Sequence, residues 1–390
     1  MHINRVVGLS LGAAILLCCS GLHLAYAKPL MIVGIDEKVW WDDDGKTILS
    51  PPGKDQVLIA DLADPENPKI VATLPLKNSI VGPPVNVDID PTGSVALVAD
   101  SVDVVKDGDA LKQVPDNKLY VIDLKASPPK LAATVTVGKQ PSGLSFSPSG
   151  KMALVANRGD NSISVLSING TDVKVIDTVA MPDSVSHVVF TPDGKRALAA
   201  RSAASKLSVL DIDGDKVTYN KFDLPTGQWP YNVVVAPNDK IALLNETGSG
   251  GSSDGNVDTT SVIDLEANPP RVIDKVVVGD GPEGLAISPK GDLAVAAILN
   301  GSNNKKAFFY KKNATLSVLK IDGKKVTKTQ DIELGGLTEA VLFTPDGKYI
   351  LAGNYMTQDF SILKVNGTRV TDTGKRFKVP GHPASARIGR

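Results

Sequence analysis

Apolar positions along this chain recur in short runs with a period of two. Seven segments share one seven-residue pattern: Gln56–Leu62, Lys118–Leu124, Ser162–Ile168, Lys206–Ile212, Thr259–Leu265, Thr315–Ile321 and Asp359–Val365. β-branched and aliphatic residues dominate them, as buried strands require. A tight turn of Pro-x-Gly type precedes each copy, at Pro91-Thr92-Gly93, Pro148-Ser149-Gly150, Pro192-Asp193-Gly194, Pro237-Asn238-Asp239, Pro289-Lys290-Gly291 and Pro345-Asp346-Gly347. Asp43-Asp44-Gly45 reads as a degenerate version. Pro presets φ in such a turn, and Gly takes the left-handed position before the next strand. The last turn residues lie 48, 57, 44, 45, 52 and 56 apart. After each copy comes a hairpin signal, best seen at Asn169-Gly170, Asp213-Gly214, Asp322-Gly323 and Asn366-Gly367.

Each unit thus predicts four strands, A to D. In the third they are Gly143–Ser147, Lys151–Asn157, Ser162–Ile168 and Lys174–Met181. No helical period is sustained beyond residue 27. Seven such units predict an all-β, seven-bladed β-propeller of antiparallel blades, spanning 28–390 as one domain. For ring closure, Pro380–Ile388 reads as a strand A with no B, C or D after it, so it is expected to complete the first blade. That blade's own strands B to D are expected from Lys46 onward. The competing candidate for its strand A is Lys38–Asp42, a poor strand.

Residues 1–27 break the pattern. Arg5, the apolar run Val6–Leu17 and Ala25-Tyr26-Ala27 read as a secretory signal with its cleavage site. The run is too short to span a bilayer, which needs about 20 residues. Leu17 before Cys18 disfavours a lipoprotein signal. Cleavage would leave 363 residues with net charge −2, no cysteine, and only His187 and His382. The expected location is periplasmic or secreted, without a transmembrane anchor. The near-zero charge argues against a nucleic-acid partner. Without cysteine there is no Cys nucleophile, Fe–S cluster or thioether-linked haem.

The strand-B ends Leu154-Val155-Ala156-Asn157, Leu97-Val98-Ala99-Asp100 and Leu351-Ala352-Gly353-Asn354, with the segments Pro141–Gly150 and Pro282–Gly291, resemble the YVTN-family propellers. The resemblance covers nearly all of 28–390. It implies surface or periplasmic binding proteins, propeller lactonases and cycloisomerases, and haem- or quinone-associated propellers. A shared fold does not choose among these.

In a propeller the start of strand A lines the central channel. Counting seven residues back from each turn Gly or Asp gives Lys38, Asn86, Gly143, His187, Asn232, Gly284 and Ala340. One residue earlier come Glu37, Val85, Ser142, Ser186, Tyr231, Glu283 and Glu339. Candidate acid–base groups are therefore His187, Glu283 and Glu339. Candidate ligand contacts are Asn86, Tyr231 and Asn232, with His382 if the tail closes the ring. Strand-B ends form a second ring of Asp100, Asn157, Arg201, Asn245 and Asn354. Of these, Arg201, Asn157 and Asn354 are further ligand candidates. The alternatives are solvated channel lining, a hydrogen-bonded histidine, and an Arg201 paired with a neighbouring acid.

Three B–C loops are long: Ser101–Asn117, Glu246–Asp258 and Asn300–Asn313. Asp254-x-Asn256-x-Asp258 is a weak calcium-like spacing. Phe308-Phe309-Tyr310 among four lysines, and Trp40-Trp41, suit either a partner or packing on the blade tops. No Gly-x-Ser-x-Gly elbow, phosphate loop or metal-spaced His cluster occurs. The leading expectation is a monomeric binding module, without cofactor or metal, for a protein or polar small molecule. The alternative is a lactonase-like hydrolase of sugar lactones or muconolactones. A third reading is a redox propeller holding haem through His187.

Overall fold

The computed structural model describes residues 1–2, 29–248, 250 and 252–389. The secretory-signal reading therefore falls almost wholly outside the described residues. Among these there is no helix, and hence none long and apolar enough to cross a membrane.

Seven four-stranded antiparallel sheets form the blades of a propeller. The innermost strands run in order Pro383–Ile388, Val87–Ile89, Pro141–Phe146, His187–Phe190, Pro230–Val235, Pro282–Ile287 and Thr338–Phe343. Each touches the next, and the last returns to the first. The period-two pattern does not sort residues into core and solvent here. It sorts them between two neighbouring blades. Met31 and Val33 pack with Leu351 and Phe360 of the seventh blade, while Ile32 packs with Val87 and Val98 of the second. Seven such apolar clusters sit one per blade interface. The outermost strands are exposed along much of their length, as in Asp172–Ala180.

The turns follow the sequence signals. Gly93, Gly150, Gly194, Gly291 and Gly347 take φ between 66° and 73°, and Asp239 holds the same position at φ 59°. Closure also follows the expectation, since the C-terminal strand is the innermost strand of the first blade. It pairs antiparallel with Leu30–Ile35, through Met31 with Ile388 and Val33 with Ala386.

The first blade otherwise departs from the sequence reading. Its strand B is Leu30–Ile35, not a segment after Lys46. Val39–Trp41 and Thr47–Leu49 form a separate two-stranded hairpin inserted before strand C, Gln56–Asp61. Asp42–Gly45 is the tip of that hairpin, closed by a bond from the Gly45 amide to Asp42 O. Turn chemistry is common to all hairpins, so this one mimicked an A–B turn. Register then places Ser385, not Lys38, in the channel. The long segment Ser101–Asn117 is likewise no open loop. It extends strands Val95–Asp107 and Ala110–Asp123 into one long hairpin.

Candidate active site

At the channel mouth the starts of the innermost strands bring Tyr231, Glu283 and Glu339 together, with Ser142 against Gly82, while Ser186 Oγ is bonded to the Ala200 and Tyr231 carbonyls. Close contact between strands depends on glycine here. A Cβ on Gly284 would overlap the Glu339 carbonyl, and one on Gly143 would lie 2.6 Å from His187 Cδ2. Asn245 fixes the sixth blade's strand from the fifth. Its amide donates to Glu283 O and Gly284 O, both at 3.2 Å, and its Oδ1 accepts from Thr260 Oγ1 at 2.8 Å.

Glu283 and Glu339 are 7% and 2% exposed and hydrogen-bonded to each other. Burial pushes Glu283 up to about 7, opposed by the Glu339 hydrogen bond and by Arg158. Burial and the adjacent Glu283 hold Glu339 well above the usual carboxylate range. Two carboxyls this close in a dry site hold one proton between them over a wide pH range, because ionising one makes ionising the other costly. Arg158, half-buried in the short loop after Asn157, faces this pair and Tyr231. Its Nη1 is buried with no hydrogen-bond partner, as are Glu339 Oε2 and Ser142 Oγ. Tyr231 is bonded by the Gly82 backbone, so the segment joining the first two blades folds over the mouth.

A second layer covers the same place. The inserted hairpin and its neighbours form an apolar plug of Val39, Ile80, Leu299, Leu337, Tyr355 and Ala384. Trp41 packs edge-on against Tyr355, with ring centroids 5.7 Å apart. The hairpin tip is clamped to the sixth blade's loop. Lys306 N donates to Asp43 O at 3.1 Å, Lys305 pairs with Asp43 at 2.5 Å, and Lys306 pairs with Asp44 at 2.7 Å. In that loop Phe309 packs on Gly255 and Gly301 while Phe308 stays exposed. Below the acid pair the channel narrows to a cavity of about 10 Å³ lined by Val85, Asn232, Gly284 and Ala340.

His187 sits beside this constriction, fully buried. Its Nδ1 accepts from Val233 N at 3.2 Å, which puts the proton of the neutral ring on Nε2. Burial, with a smaller effect of Arg387, pushes its pKa down to about 3 against a weak opposing effect of Asn232. Such a ring is neutral at physiological pH and is a poor base. A porphyrin has no room beside it, so the residues present do not fit a haem.

The other sequence candidates lie elsewhere. Asn86 shares the His187 layer and donates to Ala99 O at 2.8 Å. Asn157 bridges Ser162 and Ser164, and Asn354 bonds Thr338, Asp359 and Ser361. Both amides tie strands together within their blades. Glu246, rather than Asn245, holds the equivalent place in the fifth blade and accepts from Ser261 and Thr259. Arg201 is paired with Asp183, through Nε at 2.9 Å, and with Asp223 at 2.8 Å. His382 binds Glu37 through Nδ1 at 2.9 Å and stacks on Tyr355, outside the acid pair. Asp254 and Asp258 bond their own loop and Gly281. Among the described residues no three His, Cys, Asp or Glu are arranged to hold a metal.

Arg158 escaped sequence reasoning. It sits one residue past the strand-B signature, in a loop too short to attract notice. The register that placed Asn157 at the strand end also placed Arg158 over the mouth.

The arrangement is that of a channel-mouth acid pair on a seven-bladed propeller. A profile of the lactonase family described as "Lactonase, 7-bladed beta-propeller" matches residues 116–225, within the second to fourth blades. Among solved structures, the periplasmic gluconolactonase PpgL of Pseudomonas aeruginosa is 17% identical with a TM-score of 0.67, covering 93% of this chain and 99% of that one. A candidate 6-phosphogluconolactonase from Bacteroides uniformis is 16% identical with a TM-score of 0.69, over 93% and 99% of the two chains. Hydrazine synthase from Kuenenia stuttgartiensis is 17% identical with a TM-score of 0.60, over 79% and 90%. At these identities the likeness is one of fold. No curated protein matches the chain.

Proposed function

We propose that this protein is a lactone hydrolase acting in the periplasm. One observation carries the reading: two adjacent buried carboxyls, Glu283 and Glu339, lie near a guanidinium, Arg158, that has an unpartnered donor. The partial family match and the lactonase-type neighbours favour hydrolysis over the binding-module expectation. The periplasmic neighbour and the secretory-type leader support the location.

Lactone opening needs a base for water, a donor for the oxyanion and an acid for the leaving alkoxide. The ionised carboxylate takes a proton from water, whose oxygen bonds to the lactone carbonyl carbon. Arg158 Nη1 donates to the resulting oxyanion. The ring C–O bond then breaks, and the protonated carboxyl gives its proton to the alkoxide oxygen. A hydroxy acid leaves, and the pair again holds one proton with its roles exchanged. In the folded state the mouth is covered, so turnover requires the hairpin and the segment around Gly82 to move aside.

A pH–rate profile with glucono-1,5-lactone tests this. kcat/KM should fall below about pH 7, where both carboxyls are protonated and no base remains. It should fall again at higher pH, where both are ionised and no acid remains. Arg158→Ala should lower kcat by about 100-fold, the scale of losing one oxyanion donor. A flat profile together with a wild-type rate in Arg158→Ala would overturn the reading.

A further inference from the structure

The charge around the acid pair bears on which lactone the site accepts. The carboxyl pair carries about one negative charge, and Arg158 supplies one positive charge against it. Other cations near the channel are already committed. Lys38 is buried and bound by Asp55, with Asp36 at 3.4 Å. Arg387 is held by Asp88 at 2.9 Å. The remaining groups with unmet hydrogen-bonding capacity near the channel include no further cation: Ser142 Oγ, Asn86 Oδ1, Ser385 Oγ, the mutually facing His187 and Asn232, and both oxygens of Asp100, an acid beside Lys38. Each belongs to a side chain at least nine-tenths buried.

While the deeper groups lie at a constriction of about 10 Å³ that admits no more than a water, a sugar hydroxyl, both donor and acceptor, matches Ser142 and Arg158 directly. A phosphoryl dianion does not. It would be buried beside two carboxyls with one guanidinium that they already balance, and burial of uncompensated charge is costly.

We infer that the substrate is an uncharged, polyhydroxylated lactone, and that the site rejects its phosphorylated counterparts. This rests on the hydrolase reading above. It also separates this chain from the candidate 6-phosphogluconolactonase that it resembles in fold.

The test compares kcat/KM for glucono-1,5-lactone and 6-phosphoglucono-1,5-lactone. Calorimetric binding of glucono-1,5-lactam with and without a 6-phosphate provides a readout independent of turnover. The expected result is at least a tenfold preference for the unphosphorylated compound in both. Ser142→Lys, which adds a cation at the mouth, should shrink that preference. Equal or greater turnover and binding of the phosphorylated compounds would overturn the inference while leaving the hydrolase reading standing. Turnover of neither lactone would overturn the hydrolase reading and the inference with it.

Discussion

At the residue scale, function and stability pull Glu283 in opposite directions. Its ordinary pKa near 4.5 rises to about 7 on folding, so above pH 4.5 the unfolded chain gives up its proton more readily. The native state therefore loses stability as pH climbs from about 4.5 to 7 and stays penalised above. His187 acts on the acid side. With its pKa pushed down to about 3, it contributes stability above pH 6.5 that is lost as pH falls toward 3. Glu283→Gln removes the first penalty. Its Tm should match wild type near pH 4 and exceed it at pH 8, and equal Tm values at both would mean that the carboxyl is not buried as described. The acid pair was legible in the sequence because channel positions sit at a fixed distance from each turn glycine. The chemistry of His187 was not, since its tautomer depends on Val233 N and its burial on Gly143, both from other blades.

At the element scale, the inserted hairpin decides access. Its strands are only three residues each, and its tip ion pairs are largely exposed, worth little in water. The apolar plug beneath holds it instead. The backbone bond from Lys306 to Asp43 brings the two chains within disulfide range, and the chain has no cysteine beyond Cys18 and Cys19 of the leader-like segment. Asp43→Cys with Lys306→Cys should lock the mouth. Oxidised, this variant should lose at least tenfold in lactone turnover, with full recovery in dithiothreitol. Unchanged turnover when oxidised would mean that substrate enters without hairpin movement. The sequence concealed this element because Asp43-Asp44-Gly45 has the residues of an A–B turn. The true strand B, Leu30–Ile35, follows the N-terminal segment read as a secretory signal and is not preceded by a Pro-x-Gly turn.

At the scale of the whole molecule, the ring depends on eleven C-terminal residues. Removing 380–390 strips the innermost strand from the first blade and unpairs Met31 and Val33, which are fully buried. It also opens two blade interfaces at once. The truncated chain should unfold at a Tm at least 10 °C lower, well beyond the 2–4 °C expected per kcal/mol in chains of 150–250 residues. A wild-type melting curve would show that closure does not come from this strand. The architecture was the most legible feature of all, because seven repeats carry the same strand and six of them the same turn. Function was less so, since the residues that meet at the mouth come from separate blades and a loop. The central claim, that Glu283 and Glu339 act together on a lactone, is tested most directly by one side-by-side rate. Glucono-1,5-lactone hydrolysis above the buffer background should be measured at pH 7 for wild type and Glu283→Gln. The account predicts clear wild-type turnover and a loss of about 100-fold or more in the variant. Equal rates in the two proteins, or no wild-type rate above background, would contradict it.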